Sequence, residues 1–518
     1  MKRLFLLVMI PVALTIARQA PAQNYAPNWE SIDKRPTPQW FDDAKFGIFI
    51  HWGVYSVPAF ADPHSKIGES YAEWYWNHMQ NKNGPTWAFH LLHYGANFKY
   101  QDFAGQFKAE LYDPDQWADL FASAGARYVI LTSKHHEGFC LWPCPASWNW
   151  NSVDVGPHRD LAGDLAKSVV AKGLRMGFYY SLYEWYNPLY LSDQQRYLTE
   201  HMIPQMKDLV ERYHPSILYT DGEWERPSEQ WNSTQFLAWL FNDSSVREEI
   251  VINDRWGKET RSKHGGFYTS EYQTFVPEGV QLGPSHKWEE DQGIGKSFGY
   301  NRLEGPNDYK TATALVHLLV DVVSKGGNLC LDIGPTADGR IPVIMQERLL
   351  QMGGWLKVNG EAIYSTRAWR RMSEGDVRYT SKGKAVYAIV ETWPGQELAL
   401  SAPLTTAQTR VELLGGNAPL KWRQEAGKLR IQLPPLPQAA LALPEAYVFK
   451  LTGVEERYHG ISPCVISARQ HGQQCLVPVH KQALVAIRGS VPGLPIVCFA
   501  VGASSLKAAL LKRAEHRK

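Results

Sequence analysis

The sequence predicts an α/β fold, an irregular (β/α)8-like TIM barrel followed by a C-terminal antiparallel β-sandwich. Three observations predict it. From about residue 40 to 360, strand-like and helix-like segments alternate, as a parallel sheet with crossover helices requires. Several strand-like apolar runs end abruptly in polar groups, and a βα barrel carries its chemistry where strands end. Near residue 365 the helices stop, and short strands separated by Gly, Pro and Lys turns take over.

Taken in order, residues 1–22 read as a secretory signal. Lys2 and Arg3 precede the apolar run Leu4 to Ile16, and Ala20-Pro21-Ala22 supplies a small-x-small cleavage site. That run is too short to cross a bilayer, and no other stretch of about 18 apolar residues follows, so no membrane partner is expected. Residues 23–364 carry the barrel. Its strand-like runs are 45–51, 126–132, 174–181, 216–220, 249–253 and 328–333, fewer than eight, which is why an irregular barrel is expected. Amphipathic stretches run over Leu161 to Lys172, Gln194 to Arg212, Thr311 to Ser324 and Met345 to Val358.

Residues 365–453 form the sandwich, with strands at 385–390, 397–401, 410–414, 429–433 and 447–451. Residues 454–518 are a tail with nine Lys/Arg against three Asp/Glu. It reads either as a basic interaction arm or as a plain extension.

With 518 residues the chain is too long for one core. Its 54 basic and 52 acidic residues nearly balance, which gives no reason to expect nucleic acid. Six cysteines are few for this length, and none has zinc spacing. Cys140 and Cys144 are close enough in sequence for a short bridge, and Cys330 reads as a buried thiol. Asn232-Ser233-Thr234 and Asn242-Asp243-Ser244 are sequons, in keeping with secretion.

The strand ends hold the chemistry. Ile217-Leu218-Tyr219-Thr220 runs into Asp221-Gly222-Glu223-Trp224. Lys45 to Ile50 runs into His51-Trp52-Gly53. Tyr128 to Thr132 runs into Ser133-Lys134-His135-His136-Glu137-Gly138. Ile250-Val251-Ile252 runs into Asn253-Asp254-Arg255-Trp256. Carboxylates, imidazoles, an arginine and indoles at several strand ends describe a polar pocket with aromatic walls, which suits a sugar. By ligand type alone, His51, His135 and His136 also suit a metal, although nothing in their spacing requires one.

Together and in order, these motifs resemble glycoside hydrolase family 29, the α-L-fucosidases. The resemblance also rests on Glu73-Trp74-Tyr75, Thr269-Ser270-Glu271-Tyr272, His286-Lys287-Trp288-Glu289, Ser297-Phe298-Gly299-Tyr300 and Gly326-Gly327-Asn328-Leu329. It covers roughly residues 28–453 and is closest to animal lysosomal and secreted members. It implies a retaining exo-hydrolase that releases terminal α-L-fucose from glycans. The implied nucleophile is Asp221. The implied acid/base is Glu271, with Glu289 as the alternative. Where animal members often carry an aspartate after the matching glutamate, this chain has Tyr272.

The resemblance puts His51, Glu73, Trp74, His135, His136, Tyr180, Arg255 and Phe298 on the sugar, with Trp74 and Phe298 against its C6 methyl. It implies no metal and no other cofactor. It implies a fucosylated glycan as substrate, a lysosomal or extracellular setting, and room for a homo-oligomer. The other function carried forward is a secreted fucose-binding protein that has lost catalysis on the same fold. The two carboxylates discriminate, and both are present. Lys134, Glu137 and Asp254 are expected to support the site residues or the fold rather than to act in catalysis.

Overall fold

The structure is a computed structural model that describes residues 24–273, 282–416, 418–435 and 445–456, and the backbone of 466–470 and 473–477. The signal-like segment 1–22 and most of the tail lie outside the described residues.

Eight strands share one parallel sheet: β1 (Phe46–Ile50), β2 (Tyr128–Lys134), β3 (Arg175–Ser181), β4 (Ile217–Asp221), β5 (Val251–Ile252), β6 (Tyr268–Glu271), β7 (Trp288–Gly293) and β8 (Asn328–Ile333). Their order is β5-β4-β3-β2-β1-β8-β7-β6. The two outer strands meet through one parallel bridge, Asn253 to Phe267, which closes the sheet into the irregular barrel.

Six principal helices cover it: α1 (Pro114–Ser123), α2 (Leu161–Ala171), α3 (Ile203–Tyr213), α4 (Ser233–Asn242), α5 (Ala312–Ser324) and α6 (Val343–Asn359). Asp113, Asp160 and Thr311 cap α1, α2 and α5 by accepting backbone N–H bonds with their side chains. The stretch from Gln194 is not one helix. A π turn over Tyr197–Met202 interrupts it just before α3, where Pro204 has no N–H to continue the ladder.

Two strands, β6 and β7, were not among the expected runs. Their sequences, Tyr-Thr-Ser-Glu and Trp-Glu-Glu-Asp-Gln-Gly, are polar because they feed charged groups into the barrel rather than apolar ones. The interior is filled from alternate strand positions, including Phe49, Tyr128, Ile130, Tyr179, Ile217, Tyr219 and Cys330. Gly47 on β1 makes room for Tyr128, since a Cβ there would lie 2.1 Å from the ring.

Beyond the barrel, β9 (Arg367–Glu374), β10 (Val377–Lys382), β11 (Ala385–Val390), β12 (Glu397–Leu400), β13 (Pro403–Leu413), β14 (Trp422–Glu425), β15 (Lys428–Gln432) and β16 (Tyr447–Glu456) form two antiparallel sheets. Their orders are β13-β16-β11-β10-β9 and β12-β15-β14. Val386, Ala388 and Val390 face a core shared with Leu398, Leu400, Leu429 and Ile431 of the second sheet. Tyr387 and Ile389, one position out of phase, face the barrel's helices instead. The unbroken apolar run of β11 is thus explained by burial on both faces. Trp355 of α6 donates to the Ala446 carbonyl (2.9 Å), and Arg378 of β10 pairs with Asp321 of α5 (3.0 Å).

Cys140, Cys144 and Cys330 are buried free thiols. Among the described residues no helix is long and apolar enough to cross a membrane. In the tail, β17 (Ile466–Gln470) and β18 (Gln473–Val477) pair as a hairpin, a unit separate from the rest.

Candidate active site

A cavity of about 460 Å³, counted to its open mouth, lies at the C-terminal ends of the barrel strands. This is where a parallel barrel places its sites. Asp221 is the last residue of β4, and Gly222 turns the chain away from it with φ of +75°. A Cβ at Gly222 would meet Tyr183 at 2.6 Å, so the turn is restricted to glycine.

Two groups hydrogen-bond to the Asp221 carboxylate and a third stands close. Tyr179 donates to Oδ2 (2.9 Å), Arg255 donates from Nη1 to Oδ1 (2.9 Å), and His136 Nε2 lies 3.8 Å from Oδ2. Burial alone would raise its pKa. Arg255, His136 and the Gly222 N–H outweigh burial and hold the carboxyl well below its usual range. Burial likewise works against the charge on Arg255, but Glu271, Tyr219 and Asp221 raise its pKa.

Arg255 also donates from Nη2 to Glu271, at the end of β6, and from Nε to Thr269 (3.0 Å). One guanidinium therefore joins Asp221 and Glu271. In this arrangement Glu271 accepts a charged hydrogen bond instead of standing clear as a proton donor. A second arginine, Arg261, reaches within 3.9 Å of it.

The other expected residues divide. His51, Glu73, Trp74, His135 and Phe298 line the cavity with Asp221, Arg255 and Glu271. His51 lies 2.6 Å from Asp332 of β8 through Nδ1 and stacks on Phe298 (4.9 Å). Burial and neighbouring His135 push the His51 pKa well down. Glu73 accepts from the Gly299 N–H (2.8 Å). His136 sits beside Asp221 rather than on the wall, with Nδ1 2.7 Å from Ser181 Oγ. That hydroxyl donates to the Tyr183 carbonyl (2.6 Å), so Nδ1 is the protonated nitrogen of His136.

Tyr180 is corrected. It lies on the helix side of β3, where it donates to Gln205 (2.6 Å) and Lys134 sits over its ring. Its neighbour Tyr179 lines the cavity. Parity explains this: in the β3–β4 register Tyr179 and Ser181 stand opposite Tyr219 and Asp221, the inward positions.

Glu289, the alternative acid/base, is likewise absent from the wall. It is fully buried one layer below, where Tyr128 donates to it. Burial raises its pKa to about 8. Glu289, Asp291 and Cys330 are the one group among the described residues with metal-like ligand spacing. Burial raises all three pKa values. Lys134 pairs with Glu184 (2.5 Å), and Asp254 accepts from Thr269 (2.8 Å).

Several wall residues escaped the sequence reading: Phe49, Tyr71, Tyr179, Tyr219 and Asp291. Phe49 and Tyr219 stand two positions before His51 and Asp221, so strand periodicity marks them. Asp291 lies on a strand that the sequence hid.

A sequence-family model described as alpha-L-fucosidase matches residues 12–361, and one for the alpha-L-fucosidase C-terminal domain matches 371–452. Human tissue alpha-L-fucosidase is 47% identical over 465 residues, 87% of this chain and 97% of that protein. An alpha-L-fucosidase from Dictyostelium discoideum is 43% identical, over 87% of this chain and all of that one. The crystal structure of Thermotoga maritima alpha-fucosidase in complex with fucose is 39% identical, with a TM-score of 0.71, and covers 83% of this chain and all of that one. This chain belongs to glycoside hydrolase family 29, the α-L-fucosidases.

Proposed function

We propose that the protein is a retaining exo-α-L-fucosidase in which Asp221 attacks the anomeric carbon and Glu271 serves as acid and then base. The observation that carries this is Asp221, at a strand end in a polar pocket, kept ionised by Arg255, with Glu271 on the same guanidinium. Two carboxylates within one guanidinium's reach suit the spacing of about 5 Å in retaining enzymes better than the wider spacing of inverting ones.

The steps follow from these contacts. Tyr179 and Arg255 aim Asp221 and keep it unprotonated. The sugar displaces Glu271 from Arg255, and Glu271 takes up a proton from solvent. It passes that proton to the leaving oxygen as the glycosidic bond breaks and the Asp221 carboxylate bonds to the anomeric carbon. It then takes a proton from the water that hydrolyses the fucosyl–Asp221 ester. His51, Glu73 and His135 hold the ring hydroxyls, His136 backs Asp221, and Phe298 and Trp74 cover the C6 methyl. In this reading Tyr179 takes the place first given to Tyr180.

The substrates are fucosylated glycans. The signal-like N-terminus, together with relatives named as tissue and plasma enzymes, supports a secretory route ending in lysosome or extracellular fluid.

The test is release of p-nitrophenol from p-nitrophenyl α-L-fucoside between pH 4 and 7, beside the Asp221→Ala variant. Turnover lost in the variant supports the reading. A well-folded protein that binds fucose without turnover supports the binding-protein alternative instead.

A further inference from the structure

Trp224 is the one exposed residue on the wall of the cavity, with 38% of its surface open. The residues that enclose the inner pocket are closed off: His51, Glu73, His135, Asp221, Arg255 and Phe298 are each at most 8% exposed. The cavity therefore has a sealed end that takes one ring and an open end marked by Trp224. Glu271, whose side chain is 17% exposed, also faces solvent, as a group serving the leaving oxygen must.

Trp224 is also rigidly placed. It follows Asp221 by three residues, across the Gly222 turn. The turn is pinned by Trp231, whose indole N–H donates to the Glu223 carbonyl (3.2 Å). Three rings pack against the Trp224 indole: Trp74 (5.9 Å), His136 (5.3 Å) and Tyr183 (6.1 Å). A fixed indole that keeps an open apolar face beside a nucleophile offers binding area without an ordering cost.

We propose that Trp224 is the floor of a leaving-group site that binds the apolar C–H face of a pyranose ring, the sugar from which fucose is cut. Trp224 then selects fucose attached to another sugar over fucose attached to a small group. This rests on the fucosidase reading above.

The test compares the full-length protein with Trp224→Ala and Trp224→Phe on two substrates, an α-L-fucosyl disaccharide and α-L-fucosyl fluoride. The readout is the ratio of kcat/KM for the disaccharide to that for the fluoride. A loss of a stacked ring worth one decade lowers that ratio about tenfold in Trp224→Ala. Trp224→Phe, which keeps a ring, recovers part of it. A ratio unchanged in both variants overturns the proposal, because damage to folding or to the fucose pocket scales both substrates together. Wild-type protein that releases fucose from neither substrate overturns the fucosidase reading itself, a result distinct from an unchanged ratio.

Discussion

Tyr179 donates its hydroxyl hydrogen to Oδ2 of Asp221 across 2.9 Å, a bond that is stronger to the ionised carboxylate than to the neutral acid. A hydrogen bond to a charged group contributes roughly 1.5–3 kcal/mol. Tyr179→Phe is expected to lower kcat about tenfold or more while the fold persists. It also raises the Asp221 pKa, because a donor to the charged form is lost. The acid limb of the kcat profile therefore moves to higher pH. A reduced rate with an unmoved acid limb contradicts this role.

Asp221→Gly removes the nucleophile but leaves Arg255 paired with Glu271. Turnover is expected to vanish with the circular dichroism spectrum unchanged. Azide fits the space left by the carboxylate and is expected to restore partial turnover, giving the β-configured fucosyl azide. Full activity in this variant excludes Asp221 as nucleophile.

Glu271→Ala is expected to lose roughly 10²–10⁴-fold on substrates with a sugar leaving group, the usual size of general acid catalysis. Loss on p-nitrophenyl fucoside, whose leaving group needs little protonation, is expected to be smaller. Equal losses on the two substrates would remove Glu271 from the acid role.

The buried carboxyls beneath and beside the cavity make stability depend on pH. Burial raises Glu289 to about 8 and Glu290 to about 7, and burial with Asp221 raises Glu223 to about 7, each from 4.5. Between about pH 4.5 and 7 the folded protein keeps protons that the unfolded chain has released, so stability falls as pH rises through that window. Tm is expected to be higher at pH 5 than at pH 7. Glu289→Gln keeps an acceptor for Tyr128 and is expected to flatten the slope. An unchanged slope in that variant shows that Glu289 is not one of the groups responsible.

The sequence by itself determined the residues at the strand ends. Asp221, His51, His135, His136 and Arg255 were legible because an apolar run breaking into polar groups is a local pattern, visible without the fold. The repeated alternation from residue 40 to 360 and the change near 365 were legible for the same reason.

Only the tertiary structure decided what depends on register and depth. Tyr179 and Tyr180 are adjacent and alike, and the β3–β4 register alone sends one inward and the other toward α3. Glu271 and Glu289 are both glutamates on barrel strands. Closure of β6 beside β7 puts Glu271 on the cavity wall and Glu289 a layer below it. Those two strands were hidden because they carry interior carboxylates in place of apolar side chains, and such groups are tolerated only where Arg255, Tyr128, Tyr219 and held protons surround them.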